Sequence, residues 1–325
     1  MKQIKFSADA LVKMLEKKKE ATLVEICNSF DKSPKAVLDM IRYLKRKHIA
    51  FSVHDDTIGL ATELKMVEKP LVINFRKHAE IEYPIGFVTD NHIGSKYERM
   101  DVLNALYDRF QSYGIETVYN AGNIIDGECR FNKYDIYVHG IEDQVANLLG
   151  KYPQRDGIKT LFITGDDHEG WYTQREHIDV GKKIESDARN MGRKDLIHLG
   201  YMERDIEYKQ SGGSSIIRVI HPGGGTAYAL SYSVQKIAES YQGGEKPQIV
   251  LVGHFHKFDY SYPREIHFVQ GGTTCDQTPF MRKKKIQAMV GGVVLWVKQS
   301  VTGIFTSVKI EWIPFYDKRF YAYKW

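Results

Sequence analysis

The chain has 325 residues, which is more than one small domain and fewer than three, and its 42% apolar content is ample for a buried core. Its three cysteines, Cys27, Cys129 and Cys275, are odd in number and far apart, so a cysteine zinc site is excluded and reduced thiols in a cytoplasmic protein are expected. The first residues lack the apolar core of a signal peptide, and the run 293–297 is too short to span a bilayer, so no membrane association is expected.

The first 70 residues predict three short helices followed by a hairpin. The net charge of the whole chain is +5, and residues 1–70 hold 14 Lys and Arg against 10 Asp and Glu, which hints at an acidic partner for this part. Ser33 and Pro34 begin the third helix, with proline at the first helical position. Alternating segments at 49–53 and 57–60 form the hairpin, with two aspartates as its turn.

Three helices followed by a hairpin resemble a winged helix-turn-helix module, and the third helix would be its recognition helix. That helix has an apolar stripe of Val37, Ile41 and Leu44, and a basic stripe of Arg42, Lys45, Arg46 and Lys47. Charges clustered on one helix favour contact with nucleic acid. Two plainer interpretations stay open, because such modules also dock proteins or form dimers, and a basic stripe is often only a solvated face.

After the first 70 residues the pattern changes to strands alternating with helices, which is typical of a layered α/β domain. We place a linker at 71–83, with a connecting strand around 61–80 as the alternative, and this domain at 84–325. The predicted strands cover 84–89, 117–121, 160–164, 215–220 and 248–252, and the predicted helices lie around 103–110, 141–149, 178–191 and 227–240. Further β-type segments follow at 266–269, 290–297 and 304–312. The aromatic-rich last eleven residues are expected to pack on the protein; covering a dimer partner is the alternative.

Polar loops follow the first five predicted strands. They read Asp90-Asn91-His92, Gly122-Asn123-Ile124-Ile125-Asp126, Gly165-Asp166-Asp167-His168-Glu169, His221-Pro222-Gly223-Gly224-Gly225 and Gly253-His254-Phe255-His256. Because ligands bind beyond the carboxyl ends of strands in open α/β sheets, these side chains are expected to meet at one edge. Turn chemistry alone explains one such loop, but hardly five in the same register. Oxygen and imidazole donors without a thiolate suit a pair of divalent Mn, Fe or Zn ions.

The order of these motifs resembles the calcineurin-like metallophosphoesterases over roughly residues 84–275. The matching pattern is Asp-x-His, Gly-Asn-x-x-Asp, a Gly loop ending in His-Glu, a lone His and Gly-His-x-His. The resemblance implies a four-layer α/β/β/α sandwich, with two sheets packed face to face and helices outside. It does not cover the N-terminal winged-helix-like module.

The resemblance also implies a role for each site residue. Asp90, His92 and His256 would hold one metal ion and His221, His254 and Asp167 the other, while Asn123 would bridge them. His168 would contact the phosphate and protonate the leaving oxygen, with Glu169 orienting its ring.

Two positions depart from the family pattern. The bridging residue is normally Asp but here is Asn123, and the residue before His168 is normally Asn but here is Asp167. The amide and the carboxylate look exchanged, so we expect both to coordinate. Asp126 is a second candidate for the missing carboxylate, and the extra acid Asp166 is a further candidate metal ligand.

Smaller features flank the expected site. The glycines at 223–225 would let backbone amides approach an anion, with a plain turn as the alternative. The basic run at 282–285 would follow a nucleic-acid backbone or form a solvated loop. Trp171 and Tyr172 would stack on a base, although packing against the adjacent helix is the simpler expectation.

These observations predict a two-metal phosphoesterase, with manganese favoured, that hydrolyses phosphate esters through attack of a metal-bound hydroxide. The N-terminal module favours a phosphodiesterase or nuclease acting on DNA. One alternative is a phosphomonoesterase for a small molecule or a protein. Another is a non-catalytic nucleic-acid-binding subunit in which the altered bridge has silenced the site.

Overall fold

The computed structural model describes residues 6–18, 20–46, 51–54, 57–60, 70–75, 79–225 and 231–316. The chain divides into two compact units, Met1–Lys69 and Pro70–Trp325. We call them the N-terminal unit and the main unit. Within the described residues, no helix combines the length and the apolar character needed to cross a membrane.

The N-terminal unit consists of short helices and strands in alternation. They are α1 (Ala8–Lys18), β1 (Glu20–Thr22), α2 (Leu23–Phe30), α3 (Pro34–Arg46), β2 (Phe51–His54) and β3 (Thr57–Leu60). A capping box of Thr22 and Glu25 starts α2, and Asp31 ends it in the left-handed conformation. The strands form an antiparallel sheet in the order β1-β3-β2.

The apolar positions of these helices share one core. Val37, Ile41 and Leu44 on α3 are buried, because their spacing places them on one helix face. Arg42 is exposed and pairs with Asp39. The predicted hairpin turn and Lys47 lie outside the described residues, and the winged helix-turn-helix assignment stays a prediction.

The main unit contains twelve further strands and six further helices among the described residues. They are β4 (Leu71–Asn74), β5 (Ile81–Val88), α4 (Met100–Ser112), β6 (Thr117–Asn120), α5 (Ile141–Lys151), β7 (Lys159–Thr164), α6 (Gly170–Glu176), α7 (Val180–Asn190), β8 (Leu196–Tyr201), β9 (Glu203–Gln210), β10 (Gly213–Ile220), α8 (Tyr232–Ser240), β11 (Ile249–Val252), β12 (Phe258–Ser261), β13 (His267–Gly271), α9 (Pro279–Lys283), β14 (Val290–Gln299) and β15 (Phe305–Phe315).

The strands of the main unit form two six-stranded sheets. Sheet I has the order β15-β14-β5-β6-β7-β8, and sheet II has the order β12-β13-β11-β10-β9-β4. Strands β5 to β8 are parallel, as are β10, β11 and β13. Each sheet therefore presents several carboxyl ends along a single edge, where the polar loops follow.

The two sheets pack face to face with helices outside. Phe87 and Ile163 of sheet I share a fully buried core with Val219 and Leu251 of sheet II. Helices α4, α5 and α7 cover the other face of sheet I, and α8 covers that of sheet II. The predicted four-layer α/β/β/α class is confirmed, because both faces of each sheet are apolar and both are covered.

Within the predicted linker at 71–83 the structure has strands, which agrees with the alternative expectation of a connecting strand. Residues 71–74 form β4, which pairs in parallel with β9 at the edge of sheet II. Leu71 and Ile73 pack on the core between the sheets, whereas Val72 is half exposed, so the short segment has the alternation of an edge strand. Strand β9 was missed, because only Ile206 and Tyr208 of its largely charged sequence show the same alternation. The start of the predicted helix at 227–240 and the end of the chain after residue 316 lie outside the described residues.

A buried hydrogen bond between two tyrosines joins the sheets and generates a prediction. The hydroxyl oxygens of Tyr119 and Tyr208 lie 2.7 Å apart, with both side chains buried. Changing either residue to Phe leaves one buried hydroxyl unpaired and is expected to lower the free energy of unfolding by about 1–2 kcal/mol. The double variant should lose less than the sum, and denaturant unfolding of the full cycle measures the difference.

The matched control is Tyr83→Phe. Tyr83 stacks on Tyr208 with ring centroids 5.3 Å apart, but its own buried hydroxyl has no hydrogen-bond partner. Loss of the Tyr83 hydroxyl should leave the free energy of unfolding unchanged or slightly higher. Additive losses at Tyr119 and Tyr208 would show that their hydroxyls do not interact.

Candidate metal centre

The fully buried imidazole of His221 lies where the two sheets meet. Its Nδ1 lies 2.6 Å from the carbonyl oxygen of Ala121 and donates its proton there, so Nε2 is the ring nitrogen that is available to a cation. A Cβ atom on Gly122, Gly165 or Gly253 would lie 2.8, 2.7 or 3.0 Å from atoms of this ring. The glycines that follow β6, β7 and β11 therefore leave the space that the imidazole occupies.

Two imidazoles and a carboxylate form the first group of possible ligands, Asp90, His92 and His256. The Oδ1 atom of Asp90 lies 3.3 Å from His256 Nε2 and 3.8 Å from His92 Nε2. The two Nε2 atoms are 3.1 Å apart. His92 Nδ1 donates to Asp126 at 2.8 Å, which directs the lone pair of Nε2 toward His256. Two imidazole Nε2 atoms beside one carboxylate suit a divalent cation.

The second group has the same composition, Asp167, His221 and His254. The carboxylate oxygens of Asp167 lie 3.1 Å from His221 Nε2 and 3.3 Å from His254 Nδ1. His254 Nε2 donates to the carbonyl oxygen of Gly224 at 2.7 Å, so its Nδ1 keeps the lone pair. The backbone amide of His254 donates to Asp90 Oδ2 at 2.8 Å, which fixes the two groups beside each other.

Asn123 lies beside both groups. Its Nδ2 donates to Asp90 Oδ1 at 3.3 Å, and its buried Oδ1 has no hydrogen-bond partner. Asp166 belongs to neither group, and the structure places its carboxylate beside Gly223. Asp126 forms a third group of possible ligands with His92 and His168, and it contacts both rings by hydrogen bonds. The amide oxygen of Asn123 and His221 Nε2 each lie 3.0 Å from the point where a Cβ on Gly165 would stand.

We call the sheet edge where the five polar loops meet the rim. Several residues of the rim have an uncommon backbone conformation. Six of them adopt the left-handed conformation, with φ between 45° and 78°: Asp90, His92, Asn123, His168, His254 and His256. Residues with a Cβ seldom adopt this conformation, although Asp, Asn and His tolerate it best. Strain of this kind is concentrated at functional sites, where it aims side chains that a regular turn would direct elsewhere.

The structure corrects the predicted role of Glu169. Its carboxylate accepts hydrogen bonds from the backbone amides of Asn123, Ile125 and Gly165, at 2.8, 3.2 and 2.9 Å. It does not orient His168. That ring is held by Asp126, whose Oδ1 lies 3.0 Å from His168 Nδ1. The reason is that two sharply turning loops direct buried amides inward, and these amides require an acceptor.

Charge is concentrated at this rim. Burial opposes ionisation of Asp90 and Asp167, but the neighbouring imidazoles hold the pKa of both carboxyls well below its usual range. Burial also opposes protonation of His168, yet the Asp126 carboxylate raises its pKa to about 10. At neutral pH, two ionised carboxylates thus face the rim and His168 carries a proton.

A cavity of about 1060 Å³ opens over the rim. Its walls include His168, the aromatic side chains of Phe131, Trp171 and Phe280, and the lysines Lys257, Lys284 and Lys285. Trp171 thus lines the cavity, whereas Tyr172 is buried in the core under α7. The floor of the cavity is thus polar, and its walls are aromatic and cationic.

No family model matches the chain. Over 82 residues, 25% of this chain, it is 30% identical to a valine–tRNA ligase of Psychrobacter arcticus, and it spans 8% of that protein's length. Several solved structures are similar to this chain. One is an archaeal phosphodiesterase, which has 11% identity and a TM-score of 0.39, and the match covers 71% of this chain and 99% of that one. Zinc-bound Vps29 of Entamoeba histolytica has 13% identity, a TM-score of 0.33 and coverages of 72% and 99%. A predicted phosphoesterase of Streptococcus pneumoniae has 13% identity, a TM-score of 0.32 and the same coverages.

The resemblance to the calcineurin-like metallophosphoesterases extends from the motifs to the fold. The chain has the four-layer arrangement that the resemblance implies, and the residues of the five motifs meet at one rim. The donor set suits divalent cations. The carbonyl oxygens of Ala121 and Gly224 accept hydrogen bonds from His221 and His254. These two contacts could not be predicted from the sequence, because every residue type has a backbone carbonyl group.

The buried carboxylate of Glu169 generates a prediction about stability. Glu169→Ala leaves three backbone amides without an acceptor and is expected to lower the free energy of unfolding by about 3–5 kcal/mol. Glu169→Gln should lose roughly 1–2 kcal/mol, because its oxygen can still accept from Asn123 and Gly165. Denaturant unfolding of the metal-free protein measures both, with the exposed Glu239→Ala as control. Equal losses for Ala and Gln would contradict the acceptor role.

Proposed function

We propose that the chain is a two-metal phosphodiesterase that acts on nucleic acid, with single-stranded DNA as the favoured substrate. The observation that carries the proposal is the shared rim, where two groups of one carboxylate and two imidazoles lie side by side under one cavity. Two divalent ions held there, manganese being favoured, would supply an activated water and neutralise charge on a phosphoryl group.

His168 is the proposed proton donor to the leaving oxygen. It lies in the cavity wall with 30% of its side chain exposed, beside Asp126 and His92 and outside the two groups proposed to hold the ions. Asp126 holds its Nδ1, so Nε2 is the ring nitrogen that remains for the substrate. A protonated imidazole that the protein orients in this way can act as a general acid.

The walls of the cavity support a nucleic-acid substrate. Lys284 and Lys285 would bind phosphates beyond the one that is cleaved, and Trp171 and Phe280 offer faces for stacking on unpaired bases. We propose that the N-terminal unit is a winged helix-turn-helix module that contacts nucleic acid through α3, on which Arg42 is exposed. We also propose that the protein acts in the cytoplasm.

A second candidate function follows from Asn123. A neutral amide is a poorer bridge between two cations than a carboxylate, which favours a chain that binds nucleic acid without cleaving it. An assay for hydrolysis of bound nucleic acid distinguishes this non-catalytic chain from the proposed phosphodiesterase. A phosphomonoesterase is the remaining alternative, and it is distinguished by hydrolysis of monoesters instead of diesters.

The proposed role of His168 is tested with two diester substrates. His168→Asn should lower kcat roughly 10²–10⁴-fold on a dinucleotide, whose leaving alkoxide needs a proton. On a bis(nitrophenyl) diester the loss should be much smaller, because nitrophenolate leaves without protonation. Bound manganese should be unchanged. His139→Asn, at an exposed side chain, is the matched control. Equal losses on both diesters would exclude the acid role.

The proposed substrate is tested by manganese-dependent assays on single-stranded DNA, duplex DNA, RNA and an aryl phosphate monoester in parallel. We expect single-stranded DNA to be cleaved fastest. The variant Lys284→Ser/Lys285→Ser should raise KM for DNA about tenfold, because two phosphate contacts are lost, and leave the aryl diester rate unchanged.

The control for the lysine variant is Lys182→Ser/Lys236→Ser, at exposed positions on α7 and α8. Hydrolysis of the aryl monoester alone would support the phosphomonoesterase. DNA binding without any hydrolysis would support the non-catalytic subunit.

A further inference from the structure

The two ligand groups have the same composition, and the residue between them decides whether they act as a pair. Each has one carboxylate and two imidazoles: Asp90 with His92 and His256, and Asp167 with His221 and His254. A carboxylate between two cations would donate one oxygen to each and offset their repulsion. The position between these groups holds Asn123, which is neutral and has a single side-chain oxygen.

The orientation of the Asn123 amide is set by Asp90. Its Nδ2 donates to Asp90 Oδ1 at 3.3 Å, and a nitrogen in this role has no lone pair for a cation. Rotating the amide by half a turn would place Oδ1 against that carboxylate oxygen, and two acceptors would repel. The first group therefore receives no ligand from Asn123.

The amide oxygen of Asn123 lies on the side of the second group. Oδ1 is buried and has no hydrogen-bond partner. It and His221 Nε2 each lie 3.0 Å from the point where a Cβ on Gly165 would stand. A buried acceptor without a partner costs free energy, which a cation bound at the second group would restore.

We propose that the metal centre is asymmetric. The second group, with Asn123 Oδ1, forms a four-donor site that binds a divalent cation tightly, and the first group forms a separate three-donor site that binds weakly and exchanges. With no shared carboxylate, the two cations repel without compensation, so the sites fill in sequence. This inference rests on the proposed function only in that both require cations at the rim.

Calorimetric titration of the full-length protein with Mn²⁺ tests the proposal, with free Mn²⁺ counted by its electron spin resonance. We expect two separate binding events whose Kd values differ at least tenfold. His256→Asn should weaken only the weak event, since His256 belongs to the first group. Asp167→Asn should weaken the tight event at least tenfold, since it removes the only charged donor of the second group.

Asn123→Asp supplies the shared carboxylate. It should tighten the weak event at least tenfold and bring the two Kd values together. Backbone contacts at this position are unaffected, because Glu169 accepts from the Asn123 amide and not from its side chain. If this variant does not fold, His256→Asn and Asp167→Asn decide alone.

Several results would overturn the asymmetry. They are a single cooperative two-ion event in the unaltered protein, loss of the tight event in His256→Asn, or unchanged Kd values in a folded Asn123→Asp protein. Two ions bound with equal affinity by a protein that hydrolyses diesters would contradict the asymmetry and leave the proposed function standing. Failure to bind Mn²⁺ at all would contradict both.

Discussion

The metal centre depends on space around one imidazole. His221 leaves sheet II at its carboxyl edge and is fully buried against the loops that follow sheet I. It fits because Gly122, Gly165 and Gly253 bring no Cβ to the positions that its ring occupies. These glycines let strands from both sheets end so close together that their next residues share one rim. Gly122 and Gly165 are thus required by the packing of this histidine, and Gly253 is required by Thr89 and Ala121 as well.

A polar rim on an apolar sandwich requires compensation for every charge. Asp90 is buried, and its oxygens face two imidazoles and the amide of His254. Asp126 holds the other nitrogen of His92 and the ring of His168, and three amides surround Glu169. The remaining nitrogen and oxygen atoms of the imidazoles, the carboxylates and the Asn123 amide converge on the two ligand groups. Their convergence is what a cation requires, and the left-handed backbone of six rim residues maintains it.

The sequence predicts the layers and the gathering of ligands better than the supporting contacts. Strand ends can be predicted from the sequence, because an apolar run followed by Gly, Asp or His is a strong local signal, as at Gly253 and His254. Edge strands such as β4 and β9 are harder to predict, because half of their side chains face solvent and their sequences resemble those of loops. The role of Asp126 could not be distinguished from that of Glu169, since both follow strands and only three-dimensional contact shows which one reaches His168. The exchange of amide and carboxylate at Asn123 and Asp167 is visible in the sequence, but the orientation of the amide is not.

Anomalous diffraction from crystals grown with Mn²⁺ tests the central claim most directly. The account predicts two peaks at the rim, one in contact with Asp90, His92 and His256 and the other with Asp167, His221 and His254. Absence of anomalous signal there, or imidazoles turned toward different cavities, would contradict it.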